Sequence, residues 1–101
     1  MRTLVHPSRE DIALSAVLHA LSDPLRLQIV LHLVPRDEES CAFGVPVTRS
    51  TLSHHLRVLR EAGLTQTRIT GTQRFVSVRR DDLEARFPGL LAAIVLASAP
   101  L

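Results

Sequence analysis

The chain has 101 residues, 46% of them hydrophobic and 22% charged, which fits one small globular domain with a single core and excludes a disordered chain. Aromatic residues make up only 3%, with no Trp or Tyr, so stacking single-stranded bases on aromatic platforms is excluded as a main binding mode. All 12 basic residues are Arg and the formal charge is +2, a balance compatible with nucleic acid but too small to require it.

Position says more than the total, because 8 of the 12 Arg lie between Arg49 and Arg86. Cys41 is the single cysteine, which rules out an intramolecular disulfide. No apolar run reaches the roughly 18 residues that span a bilayer, so no membrane partner is expected. No N-terminal segment combines a charged start, an apolar run and a cleavage site, and the expected compartment is the cytoplasm.

In chain order, residues 1–8 read as an irregular arm. Ser8 with Asp11 resembles a weak capping box and predicts a helix over about Arg9 to Leu21, carrying Ile12, Ala16, Val17, Ala20 and Leu21. Leu14 and Leu18 make its apolar surface wider than one core face needs. Ser22-Asp23-Pro24 is a stop and restart, since Asp23 can cap and Pro24 suits the first helical position. The second helix runs from about Pro24 to Val34, ending before Pro35. Pro35 to Ser40 is polar and reads as a loop, and Cys41 to Val45 as one short helical turn, broken by Gly44 and Pro46.

Thr48 to Gly63 is the most informative stretch. Thr48 can accept from the free amides of a first turn, and Gly63 can enter the left-handed region that closes a helix. Between them Leu52, Leu56 and Leu59 recur at helical period and form one apolar stripe. The opposite arc carries Ser50, His54, Arg57 and Glu61, flanked by Arg49, Ser53 and Arg60 on one side and Thr51 and His55 on the other. A leucine back lets a core hold such a helix, while hydroxyls, imidazoles and guanidinium groups on the front can read base edges or hold phosphates. Few opposite-charge pairs decorate that front, unlike an ordinary solvated helix.

Leu64 to Thr70 and Gln73 to Val78 then read as two strands joined by a tight turn at Thr70-Gly71-Thr72. This hairpin carries or adjoins Arg68, Arg74, Arg79 and Arg80. Asp81 with Glu84 starts a short helix that Pro88 interrupts. Pro88 to Ala99 is nearly all apolar, with Leu90, Leu91, Ile94, Val95 and Leu96, a pattern poorly explained as the surface of a monomer.

The order of elements looks like a winged helix-turn-helix, mainly α with a small β-hairpin, occupying residues 1–101 as one DNA-binding domain. Two strings carry a closer likeness: Ala20-Leu21-Ser22-Asp23-Pro24-Leu25-Arg26-Leu27, and Ser50-Thr51-Leu52-Ser53-His54-His55-Leu56-Arg57-Val58-Leu59-Arg60-Glu61-Ala62-Gly63-Leu64. Together they resemble the ArsR-type bacterial repressors over about residues 10 to 95. The resemblance implies a dimeric repressor of promoter DNA, and many such proteins are released by a metal ion or by thiol oxidation. By position it implies that Arg49, Ser50, Thr51, Ser53, His54 and Arg57 meet the major groove, and that Arg68, Gly71, Gln73 and Arg74 set the wing on the flanking backbone. It also implies a dimer interface built from the first and last helices, here Ile12, Val17, Leu90, Leu91, Ile94 and Val95.

The sensing sites depart from the family pattern. Paired cysteines before the recognition helix are replaced by Cys41 alone, and residues 88–101 contain no His, Asp, Glu or Cys. Both usual metal sets are therefore absent in their usual form, and the effector stays open between a metal ion, a thiol oxidant, a co-regulator protein and none. His54 and His55 are adjacent and point about 100° apart on a helix, so they do not chelate as an i, i+4 pair would. His54 is assigned to DNA and His55 to either a phosphate or packing; His19 and His32 read as core or rim histidines. His6 in the arm could join Glu10 or Asp11. Cys41 is either a buried small hydrophobe or a thiol sensor. No nucleophile has a base oriented by a third group, so no enzyme is expected. The reading is a homodimeric repressor that binds double-stranded DNA through helix 48–62 and wing 64–78. Its rival is a winged-helix module for protein–protein association through the apolar terminal helix.

Overall fold

The computed structural model of the chain describes residues 4–40 and 47–98. A 3-10 turn (Arg9–Asp11) precedes α1 (Leu14–Leu21) and α2 (Pro24–Leu33). Then come β1 (Glu39–Ser40), α3 (Arg49–Ala62), β2 (Thr65–Thr70), β3 (Gln73–Val78), α4 (Arg80–Arg86) and α5 (Leu90–Ser98). The expected turn over Cys41 to Val45, and Cys41 itself, lie outside the described residues.

The marked boundaries behave as their chemistry dictates. The Asp23 carboxylate accepts from the amides of Leu25 (2.9 Å) and Arg26 (3.0 Å), and Pro24 occupies the first turn of α2. The Thr48 hydroxyl accepts from the Thr51 amide at 3.2 Å, a cap whose loss costs about 1 kcal/mol. Gly63 ends α3 at φ +88°, and its amide reaches back to the carbonyls of Leu59 and Arg60. A Cβ there would lie 2.6 Å from Ile12 Cγ1, so the site needs glycine both for its backbone and for the approach of Ile12.

That approach explains the first correction. The helix expected from Arg9 to Leu21 is broken: Ile12 and Ala13 are extended, and α1 begins only at Leu14. Ser8 makes no cap bond to the backbone, and its hydroxyl donates to Asp11 Oδ2 instead. Turning the chain at Ile12 buries its side chain to 1% exposure beneath Gly63, and the Ile12 carbonyl accepts from Arg86 Nη2 at 2.8 Å. A continuous helix would forfeit both.

The sheet has the order β1-β3-β2, all antiparallel. Thr70 pairs with Gln73, leaving Gly71-Thr72 as a two-residue loop with Gly71 at φ +61°. Strand β1 lies where a loop was expected; Glu39 pairs with Val76 and Ser40 with Phe75. Strands β1 and β2 are the two edges, and on β2 one outward donor is covered. There His6 Nε2 accepts from the Thr67 amide at 3.0 Å, so the arm caps an outward-facing donor of the wing. Burial holds the His6 imidazole below its usual pKa. The short helix after the hairpin begins at Arg80 rather than at an Asp81 cap, with Arg79 in the capping position.

The core joins α1, α2, the leucine back of α3, and one face of β3. Val17, Val30, Leu33, Leu59 and Val76 are fully enclosed there. Leu56 and Leu59 anchor α3 from beneath, each worth roughly 1.5–3 kcal/mol of apolar burial.

Candidate nucleic-acid interface

Helix α3 stands on that leucine back with its front in solvent. Arg49, Ser50, Thr51, Ser53, His54 and Arg57 are all exposed. These six are the residues assigned to the major groove, and one helix presents them together. Arg57 is joined to Glu61 by a 3.3 Å ion pair one turn on, loosely enough to be exchanged for a nucleic-acid acceptor.

His55 is different. Its side chain is 13% exposed and turned toward the start of α2, with Nδ1 3.2 Å from Arg26 Nη1 and 4.0 Å from Asp23 Oδ2. A guanidinium has no acceptor, so in this contact Nδ1 is the acceptor. Arg26 is itself buried, and its Nε donates to the Ala20 carbonyl at 2.7 Å. The His55 side chain therefore packs between α3 and α2 and does not join the exposed front of α3. The Asp23 carboxyl is kept below its usual range, chiefly by the Arg26 amide.

In the wing, Gly71, Gln73 and Arg74 are exposed. Arg68 is not a free cation. Its guanidinium grips Glu38 through bonds of 2.8 and 3.1 Å and lies over the Phe75 ring, 4.7 Å from the centroid. The pair holds the Glu38 carboxyl low and the Arg68 guanidinium high. Glu38 carried no expectation from sequence; the only hint was the acidic Asp37-Glu38-Glu39 run, whose partner lies on another element.

Between α3 and the hairpin runs a cleft of about 540 Å³ with Leu52 and Leu56 in its lining. Arg49, Ser53 and Arg60 border it from the helix, and Thr67, Gln73 and Arg74 from the wing. Arg60 had no assigned role. The available signal was its place on the same helical flank as Arg49 and Ser53.

The residues expected at a dimer interface divide. Ile12 and Val17 are 1% and 0% exposed in the folded chain and are core residues rather than surface ones. Leu90 and Leu91 are half-buried against their own core, and Ile94 is half-buried as well. On α1 and α5 the large apolar side chains left exposed are Leu14 (45%), Leu18 (49%), Val95 (37%) and Leu96 (76%). His19 is exposed, and His32 stands at the rim, 3.4 Å from Glu39 Oε2. His6 lies on the wing edge rather than joining Glu10 or Asp11. Among the described residues no three His, Cys, Asp or Glu side chains come together in a metal-binding group, and α5 supplies no ligand type at all. These residues do not fit either usual metal set. No helix among the described residues is long and apolar enough to cross a membrane.

Comparison with known proteins agrees with this geometry. The family described as "Bacterial regulatory protein, arsR family" matches residues 23–67, from the cap of α2 through α3 into the wing. The uncharacterized HTH-type transcriptional regulator YceK of Bacillus subtilis (strain 168) is 36% identical over 89 residues, covering 84% of this chain and 89% of that protein. The transcriptional repressor BigR from Xylella fastidiosa superposes with a TM-score of 0.68 at 30% identity, over 94% of this chain and 100% of that one. Reduced HlyU from Vibrio cholerae N16961 gives the same TM-score at 23% identity, over 85% and 88% of the two chains, a likeness of fold alone. The chain belongs to the ArsR family of bacterial regulatory proteins: it is a winged-helix, DNA-binding transcriptional regulator and not an enzyme.

Proposed function

We propose that the protein is a homodimeric repressor of double-stranded promoter DNA, acting in the cytoplasm, with residues 1–101 as a single domain. The observation that carries this reading is the exposed Arg49, Ser50, Thr51, Ser53, His54 and Arg57 front of α3, held by a buried leucine back beside a wing whose tip offers Gln73 and Arg74. An α-helix fits the major groove, where arginine can bond guanine bidentately. The wing then lies on the flanking backbone.

The dimer rests on the exposed apolar residues of α1 and α5, Leu14, Leu18, Val95 and Leu96, which a second copy would cover. Two recognition helices would then read half-sites about one helical turn apart, or a multiple of it. The sign of regulation follows the likeness to BigR, a protein described as a repressor.

Fluorescence anisotropy of the protein on the duplex upstream of its own gene, against scrambled duplex at two salt concentrations, tests the reading. The expected result is preference for the upstream duplex and a steep salt slope. Arg57→Ala or His54→Ala should cost about 1–3 kcal/mol per subunit on the preferred duplex if these residues read bases. Unchanged affinity and specificity in Arg57→Ala would remove α3 from the groove.

A further inference from the structure

We propose that Arg60 is the anchor of a phosphoryl-binding site deep in the cleft between α3 and the wing. On the reading just given, to which this inference adds, its occupant is a backbone phosphate of bound DNA.

Three arginines among the described residues are not exposed: Arg26, Arg60 and Arg79. Two have acceptors for their buried donors. Arg26 Nε donates to the Ala20 carbonyl at 2.7 Å, and Arg79 donates to Asp82 at 2.9 Å and to the Pro7 carbonyl at 2.7 Å. Arg60 Nε is buried and finds no acceptor among the described residues. A buried N–H on a charged group is costly to leave unmade, so the arrangement calls for an anion from outside.

The surroundings define its class. Among the described residues none lining the cleft is acidic, while Arg49 and Arg74 line it with Arg60. Thr67 and Gln73 add neutral donors from the wing. Arg49, Ser53, Leu56 and Arg60 fall on one stripe of α3, so the cations run along the cleft rather than round a point. Residues 49 and 60 lie about 16 Å apart along a helix axis, too far to share one phosphate. A row of separated cations suits a phosphodiester strand better than a compact polyanion. The planar fork of Arg matches two oxygens of one phosphoryl group, which Lys would hold only as a point charge. A volume of about 540 Å³ admits the sugars on either side.

The test follows the Arg60 Nε–Hε resonance of the wild-type chain by NMR during two titrations, one with duplex DNA and one with inorganic phosphate at constant ionic strength. Beside it, duplex affinity is measured across salt for the wild type, Arg60→Gln and Arg60→Lys. The proposal expects the resonance to move saturably with duplex. It expects the salt slope of Arg60→Gln to fall by about one, equally on specific and scrambled duplex, with Arg60→Lys regaining most of it. Movement with inorganic phosphate but no binding of any duplex would keep the oxyanion site and overturn the DNA reading. Tight duplex binding with a motionless Arg60 resonance and an unchanged slope in Arg60→Gln would overturn the proposal and leave the DNA reading standing. The resonance is read on the native chain, so the test survives a variant that fails to fold.

Discussion

Two regions of this molecule use the same side chain to opposite ends. Along the seam where the N-terminal arm meets α4, arginine donors are consumed internally. Arg9 and Arg79 share the Asp82 carboxylate at 2.7 and 2.9 Å, Arg79 also bonds the Pro7 carbonyl, and Arg86 bonds the carbonyl of Ile12. Asp82 is held below the usual carboxylate range, first by Arg9 and then by Arg79. Along the cleft beside the wing, Arg49, Arg60 and Arg74 face one another's surroundings with no carboxylate among them. The seam is scaffold because its donors are satisfied; the cleft keeps a buried donor, Arg60 Nε, without an acceptor among the described residues. A count of arginines therefore overstates the binding surface. Arg80 is spent on the carbonyls of Val34 and Arg36, and Arg68 on Glu38.

The contrast can be broken most forcefully at Arg79. Its side chain is 8% exposed, and Arg79→Ala strips partners from both Asp82 and Pro7. The expected loss is about 1–3 kcal/mol in urea unfolding, the range for leaving buried hydrogen-bonding groups unsatisfied. Duplex affinity, measured where the variant is still folded, should be unchanged. Arg74→Ala should do the reverse: stability within about 0.5 kcal/mol of wild type, as for an exposed position, and a salt slope of duplex binding smaller by about one. If both variants lost stability alike, the division between satisfied and free arginines would be meaningless. Glu38→Gln sharpens the same contrast on a smaller scale. It releases Arg68 from its carboxylate, so the salt slope should steepen by at most about one phosphate contact. No change would place Arg68 off the path of the duplex.

This contrast also separates what the sequence could reveal from what it could not. Helix α3 was legible because its signals are local: Thr48 caps it, Gly63 closes it, and Leu52, Leu56 and Leu59 mark its back within a few turns. The hairpin was legible for the same reason, through Gly71 and the β-branched residues around it. The break at Ile12 was not, because its cause is the bare Cα of Gly63, which only the folded chain brings near. Strand β1 is two residues long and exists only by pairing with β3, so it has no periodicity to detect. Within the candidate site the exposed front of α3 followed from helical period. The fate of His55 did not, since a flank residue can turn either way and Arg26 draws it inward. Whether an Arg is spent or free depends on acceptors elsewhere in the chain, and residue spacing carries no record of them.

The smallest effect concerns the latch between arm and wing. His6 Nε2 accepts from the Thr67 amide, which requires an unprotonated nitrogen, and burial lowers the imidazole below its usual value of 6.5. The sign follows from linkage. Above 6.5 the ring is neutral in both folded and unfolded chains, and the latch contributes fully. As pH falls from there through the lowered folded value, the unfolded chain binds the proton first and stability is lost. Below the folded value the loss is complete. This window opens at higher pH than that of Asp23, Glu38 and Asp82, whose lowered carboxyls contribute stability that starts to disappear only in more acidic solution. Thermal melts between pH 7.5 and 5 should therefore show a shallow decline in the wild type that His6→Gln lacks, because an amide oxygen accepts the same bond without titrating. Parallel declines would mean that the arm does not hold the wing edge through this nitrogen. A flat profile in His6→Gln alone would make the arm part of what fixes β2, and so part of what fixes the far wall of the cleft.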